Sequence, residues 1–140
     1  MKHKASAVWS GGLKDGKGSL TSESGVLSGT PYSFRTRFED ERGTNPEELV
    51  AAAHAGCFSM ALSMILGLAG MTAEKIETEC TVTLEQKDGG FAVTASHLDV
   101  KVKIPGASEA AFMDCANKAK AGCPISKLLN AAITMNARLV

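Results

Sequence analysis

Between Leu49 and Ala69 the chain reads LVAAAHAGCFSMALSMILGLA, and its apolar residues fall all around a helical wheel instead of along one stripe. A helix of that kind must be enclosed by protein or by lipid, so the rest of the fold has to supply a surround. Its start is marked by Asn45 as N-cap, Pro46 as first helical residue and Glu48, three residues after the cap, as the second half of a capping box. Its end is expected between Gly67 and Gly70. The stretch is long enough to span a bilayer. However, it is rich in alanine, His54, Ser59 and Ser63 interrupt it, and strand patterns lie on both sides, so a central buried helix and no membrane partner are expected.

The flanking patterns alternate with period two. From Ser6 to Ser22, glycine-rich breaks at Gly11-Gly12 and Gly16 to Gly18 read as a hairpin. Further strands are expected over residues 21–29 and over Tyr32–Phe38. In the latter, Tyr32, Phe34, Thr36 and Phe38 take one face and Ser33, Arg35 and Arg37 the other, which sets the arginines away from the aromatics. After the helix, Ile76, Thr78, Cys80, Val82 and Leu84 form the inward face of a strand that turns at Lys87-Asp88-Gly89-Gly90. The return strand carries Phe91, Val93 and Ala95 inward, then Leu98, Val100, Val102 and Ile104, a change of parity that asks for a bulge near Ser96-His97. Residues 107–121 and 124–131 read as helices separated by Gly122-Cys123-Pro124, and Ile133, Met135, Ala137 and Leu139 as the inward face of a last strand.

The class implied is α+β, an antiparallel sheet wrapped around the long central helix with further helices toward the C-terminus. With 140 residues, 44% of them apolar and 21% charged, the chain can bury one core, so residues 1–140 are expected to be a single domain. Fifteen Lys plus Arg balance fifteen Asp plus Glu, and no basic run interleaves with aromatics, which argues against a nucleic-acid partner. The same neutrality removes a self-repulsion that opposes association.

Four cysteines, Cys57, Cys80, Cys115 and Cys123, carry the candidate chemistry. Met1-Lys2-His3 leads directly into polar sequence without the apolar region of a secretion signal, so a reducing cytoplasm is the expected compartment. Cys57 lies mid-helix among small neighbours. Cys123, followed by Pro124 as a first helical residue, occupies an N-cap, where free amides and the helix dipole favour a thiolate. One thiolate that attacks an oxidant and a second that resolves the sulfenic acid are the minimum equipment of a thiol peroxidase. Cys80, on an inward strand face, and Cys115, in a helix beside Phe112, read as core filler. His54 and Cys57 are three apart on one helix face, but no second ligand pair follows, so no metal site is expected.

Several blocks together carry a resemblance: Thr21 with Glu23-Ser24-Gly25-Val26-Leu27, Thr36-Arg37-Phe38-Glu39, Gly43-Thr44-Asn45-Pro46-Glu47-Glu48-Leu49, Ala52-Ala53-His54-Ala55-Gly56-Cys57-Phe58-Ser59-Met60-Ala61 and Lys118-Ala119-Lys120-Ala121-Gly122-Cys123-Pro124-Ile125-Ser126. In this combination, which runs nearly end to end, the chain resembles the OsmC family of peroxide-reducing proteins. The resemblance implies that Cys57 is the peroxide-attacking cysteine and Cys123 the resolving one, and that Arg37 and Glu47 are the charged pair that holds and activates the thiolate. It also implies organic hydroperoxides as substrates in preference to hydrogen peroxide, with roles in oxidative and osmotic stress defence. No prosthetic group is implied; an external dithiol reductant of lipoyl type is, with a lipoylated protein as one carrier of it. The related organic-hydroperoxide-resistance branch takes its arginine from the first hairpin, where this chain has Gly11-Gly12-Leu13-Lys14-Asp15-Gly16. That supports the OsmC branch and leaves Lys14 without a role.

On one straight helix, Glu47 and Cys57 are separated by about 15 Å along the axis and about 80° around it. Either the helix breaks between them or the Arg37–Glu47 pair reaches Cys57 from a second chain. The second is favoured and makes the protein an intertwined homodimer with sites at the interface, as the resemblance also implies. An apolar channel beside Phe38, Phe58 and Met60 would suit an alkyl substrate. Two other classes stay open: a cysteine acyl-transfer hydrolase using Cys57 with His54, and a non-enzymatic binder of a lipid or other apolar ligand.

Overall fold

The computed structural model describes residues 1–140, and the chain groups into two compact units, Met1–Leu49 and Val50–Val140. Its class is α+β, as expected. In the first unit β1 (Ala5–Ser10), β2 (Lys17–Ser22) and β3 (Thr30–Tyr32) form an antiparallel sheet in that order. Gly18 sits where β2 passes under two rings: a methyl there would collide with Tyr32 and Trp9, whose ring centroids are 5.5 Å apart. Residues 23–29, expected as strand, instead form the turn between β2 and β3, with Gly25 and Gly29 at positive φ.

The larger departure is α1 (Phe34–Phe38), a helical turn where alternation predicted a strand. Ser33 and Thr36 form a reciprocal capping box, the Phe34 and Phe38 rings lie 4.9 Å apart, and Arg35 pairs with Glu39 one turn on. Phe34 and Phe38 share a face both at strand spacing and at i,i+4, so periodicity over five residues does not separate the two states; the local cap does. As a result Arg37 is not held away from the aromatics, and its guanidinium lies 5.1 Å from the Phe38 ring centroid.

Helix α2 runs unbroken from Pro46 to Leu68. The Asn45 side chain accepts the Glu48 N–H at 2.8 Å, and the Glu48 carboxylate accepts the Thr44 hydroxyl. Then come β4 (Lys75–Lys87), β5 (Gly90–Lys103), α3 (Glu109–Gly122), α4 (Pro124–Leu128) and β6 (Ala132–Leu139), with sheet order β4-β5-β6. β4 and β5 form a hairpin whose two turn residues, Asp88 and Gly89, both have positive φ, as a tight hairpin turn requires.

Two expectations for this sheet are corrected. The bulge lies at Thr94, which has no partner between the Thr83–Ala95 and Leu84–Val93 pairs; Ala95 therefore does not face inward, and Ser96 does. β6 pairs with β5 in parallel, so the sheet is mixed. The intervening α3 and α4 supply the long crossover that a parallel return needs.

The core gathers Phe58, Leu62 and Leu66 of α2, Leu98, Val100 and Val102 of β5, and Phe112, Cys115, Ala116 and Ala119 of α3. Phe112→Ala should cost about 3–5 kcal/mol in urea unfolding, against less than about 0.5 kcal/mol for exposed Lys101→Ala. The expected enclosure of α2 on all sides is not met within one chain. His54, Phe58, Leu62 and Leu66 are buried along one stripe, while Met60, Met64 and Leu68 are 78%, 62% and 83% exposed.

Candidate active site

Cys57 and Cys123 meet although they are 66 positions apart in sequence: the Cys123 thiol donates to the Cys57 sulfur at 2.7 Å, with both cysteines free. Cys57 comes from α2. Cys123 is at once the C-cap of α3, where its N–H donates to the Ala119 carbonyl, and the N-cap of α4, with Pro124 following. Its side chain makes no capping bond and points instead to the other sulfur. Because Pro124 lacks an N–H and presets φ, α3 must stop there and α4 must start, which fixes the direction of the Cys123 Cα–Cβ bond.

Burial, the first cause, pushes the Cys57 thiol above its ordinary range; the hydrogen bond with Cys123 adds to this, and the Ile125 backbone N–H opposes it. Taken alone, this pocket therefore holds Cys57 mostly as thiol at neutral pH.

Arg37 and Glu47 form a forked ion pair: Nε lies 3.2 Å from both carboxylate oxygens and Nη2 lies 2.7 Å from Oε1. The Glu47 side chain is 13% exposed and the Arg37 side chain 37%, which leaves part of the guanidinium free to meet another group. Nearby, Asn45 Nδ2 donates to the Thr36 carbonyl and ties α1 to the start of α2. Beside the arginine is an open groove of about 290 Å³ lined by Trp9, Leu13, Tyr32, Phe34, Arg37 and Phe38. Lys14 Nζ stands 6.0 Å from the Phe34 ring centroid at this groove. The expected channel residues are divided: Phe38 lines the groove, Phe58 is core and Met60 is exposed.

The structure thus brings together the expected site residues as two pairs, Cys57 with Cys123 and Arg37 with Glu47. It leaves α2 unbroken between Glu47 and Cys57, so the alternative of a broken helix is removed. Cys115 is buried in the core, and Cys80 is half-buried with its sulfur 3.2 Å from the Ser96 hydroxyl. No group of three or more His, Cys, Asp or Glu stands ready to hold a metal ion. Two contributors escaped the sequence reading, the Ile125 N–H and the Ser126 hydroxyl. The spacing of Ser126, three residues after Cys123, was the available signal.

Known proteins share this chain's sequence and fold. The family model described as OsmC-like protein matches residues 39–138. The chain belongs to the OsmC family. It is 52% identical, over 97% of its length and 95% of the relative, to Peroxiredoxin OsmC of Escherichia coli (strain K12). It is 32% identical, over 79% of each chain, to the organic hydroperoxide resistance protein OhrB of Bacillus subtilis (strain 168). Among solved structures, that of Bacillus subtilis OhrB superposes with a TM-score of 0.70 at 26% identity, covering 96% of this chain and 98% of that one. An OsmC-like protein from Mycoplasma pneumoniae shares the fold with a TM-score of 0.77 at 18% identity, covering 100% and 98%.

Proposed function

We infer that this OsmC-family chain is a thiol-dependent peroxidase that reduces organic hydroperoxides through Cys57 and Cys123. The observation that carries this reading is the 2.7 Å approach of two free sulfurs contributed by α2 and by the α3–α4 junction. In the first step the Cys57 thiolate attacks the peroxide oxygen distal to the alkyl group. The O–O bond breaks, Cys57 becomes a sulfenic acid, and the alkoxide takes a proton and leaves as the alcohol. In the second step the Cys123 sulfur attacks the sulfenic sulfur, the S–S bond forms, and the hydroxyl leaves with the Cys123 proton as water. The sulfurs need close by only a fraction of an ångström to reach the disulfide length of about 2.05 Å. An external dithiol, of lipoyl type in this proposal, then restores both thiols by two exchanges and leaves as its own disulfide. A reducing compartment, which the proposal takes to be the cytoplasm, suits such a cycle.

Activation of Cys57 is assigned to Arg37 of a second chain. Burial raises the thiol's pKa, Glu47 and Cys57 lie about 15 Å apart along one helix, and α2 exposes the apolar Met60, Met64 and Leu68 that a second copy would cover. In a homodimer the guanidinium would lower the thiol pKa and donate to the peroxide oxygens, with Glu47 orienting it. The acyl-transfer alternative loses support because both ring nitrogens of His54 are engaged by serine hydroxyls at 2.7 Å, so no free base stands beside Cys57.

Mass spectrometry after one equivalent of an alkyl hydroperoxide should find a single Cys57–Cys123 bond, with Cys80 and Cys115 still alkylatable after denaturation. Any other pairing, or none, would overturn this function. A binder of apolar ligands would show no pairing.

A further inference from the structure

His54 is wholly buried, and the peroxidase cycle above gives it no task. Its Nδ1 lies 2.7 Å from the Ser96 hydroxyl on β5, and its Nε2 lies 2.7 Å from the Ser126 hydroxyl on α4. Ser96 is itself fully buried and contacts the Cys80 sulfur at 3.2 Å, so the ring is anchored to the sheet on one side and holds α4 on the other. A neutral imidazole offers one donor and one acceptor, and each hydroxyl can take either role, so all three groups are satisfied. Burial lowers the His54 pKa, which keeps the ring neutral.

The register of these contacts is informative. His54 and Cys57 are three residues apart on α2, and Ser126 and Cys123 are three apart at the start of α4. They pair crosswise, His54 with Ser126 and Cys57 with Cys123, as two rungs between segments running in opposite directions. Helix α4 has five residues and buries none of them completely, and of its apolar side chains only Ile125 packs against the core, which leaves its angle to be held largely by other contacts. Of the two rungs, the sulfur rung changes at every turnover, from thiols to sulfenic acid to disulfide. The imidazole rung does not.

We propose that the His54–Ser126 hydrogen bond holds α4 in register on α2 and so keeps Cys123 within reach of oxidised Cys57, which makes His54 and Ser126 positioning residues for the resolving step. This rests on the peroxidase reading and deepens it. Its chemical consequence is a competition. Cys57 sulfenic acid either condenses with the Cys123 thiol to give disulfide and water, or meets a second hydroperoxide, which oxidises it to sulfinic acid and leaves as alcohol. Loosening the rung slows the first branch only.

The test separates the two steps. Sulfenic acid formation is followed by dimedone trapping in a Cys123→Ser background, and disulfide closure by single-turnover mass analysis with Cys123 present. Ser126→Ala should leave trapping within about twofold of the parent, slow closure about tenfold, as loss of one buried hydrogen bond implies, and raise the sulfinic fraction under excess hydroperoxide. Ser126→Thr, which keeps the hydroxyl, should restore closure. His54→Ala should act in the same direction as Ser126→Ala; if that larger deletion fails to fold, the serine pair alone decides. Closure at the parental rate in Ser126→Ala, equal slowing in Ser126→Ala and Ser126→Thr, or equal slowing of trapping and closure would each overturn the proposal. Failure of the unsubstituted protein to form the Cys57–Cys123 bond would instead strike the peroxidase reading beneath it.

Discussion

Cys57→Ser is expected to abolish hydroperoxide turnover, with a loss of at least about a thousandfold, since a serine hydroxyl at neutral pH has neither the ionisation nor the nucleophilicity of a thiolate. Cys123→Ser should behave differently. With the resolving sulfur gone, Cys57 can still be oxidised once, so a stoichiometric burst of about one equivalent of alcohol per chain should precede arrest. Following alcohol release over time distinguishes the two. Equal arrest without a burst in both variants would mean that Cys123 is needed for the first step, and sustained turnover in either would remove the two-cysteine cycle. The expectation rests on the 2.7 Å separation, which lets the second sulfur act without rearrangement of the helices.

Arg37→Ala is expected to lower the rate about a hundredfold at neutral pH, of the size seen when one charge-stabilising group is removed from an active site. The sign follows from the environment of Cys57, whose pKa is already raised by burial. Without the guanidinium the thiol stays protonated to higher pH, so the alkaline rise of the pH–rate profile should move upward and high pH should recover part of the activity. Co-expressing Arg37→Ala with Cys57→Ser tests whether the arginine acts across chains. Random pairing makes half the dimers mixed, and if the arginine comes from the second chain each mixed dimer rebuilds one complete site. About a quarter of parental activity should then return. Arginine acting within its own chain would return none.

The sequence marked most of what positions these residues. Asn45-Pro46 placed the start of α2, and Gly122-Cys123-Pro124 placed both the break between α3 and α4 and the N-cap position of Cys123, because proline and capping side chains act locally. What the sequence did not reveal depends on more distant choices. Phe34 and Phe38 fit a strand face and a helix face equally, and the Ser33–Thr36 cap decided between them. The parallel direction of β6 is set by how α3 and α4 lie on the sheet, which alternation along Ile133, Met135, Ala137 and Leu139 does not encode. The bulge was visible as a parity change, yet its place at Thr94 depends on the register with β4. In the site, the types Cys57, Cys123, Arg37 and Glu47 were legible, while the roles of Ile125 and Ser126 come from backbone direction and a 72-residue contact that no local pattern carries.

The chain between Cys57 and Cys123, which are 66 positions apart, includes all of β4, β5 and α3. In the proposed cycle, each closure of the Cys57–Cys123 bond would tie this segment into a covalent ring, and reduction by a dithiol would reopen it. Chain-entropy arguments make the tied state harder to unravel by about 4 kcal/mol. On that proposal the enzyme would be most resistant to unfolding while it waits for its electron donor, and an oxidant surge that outran the donor would store the protein in its sturdier form.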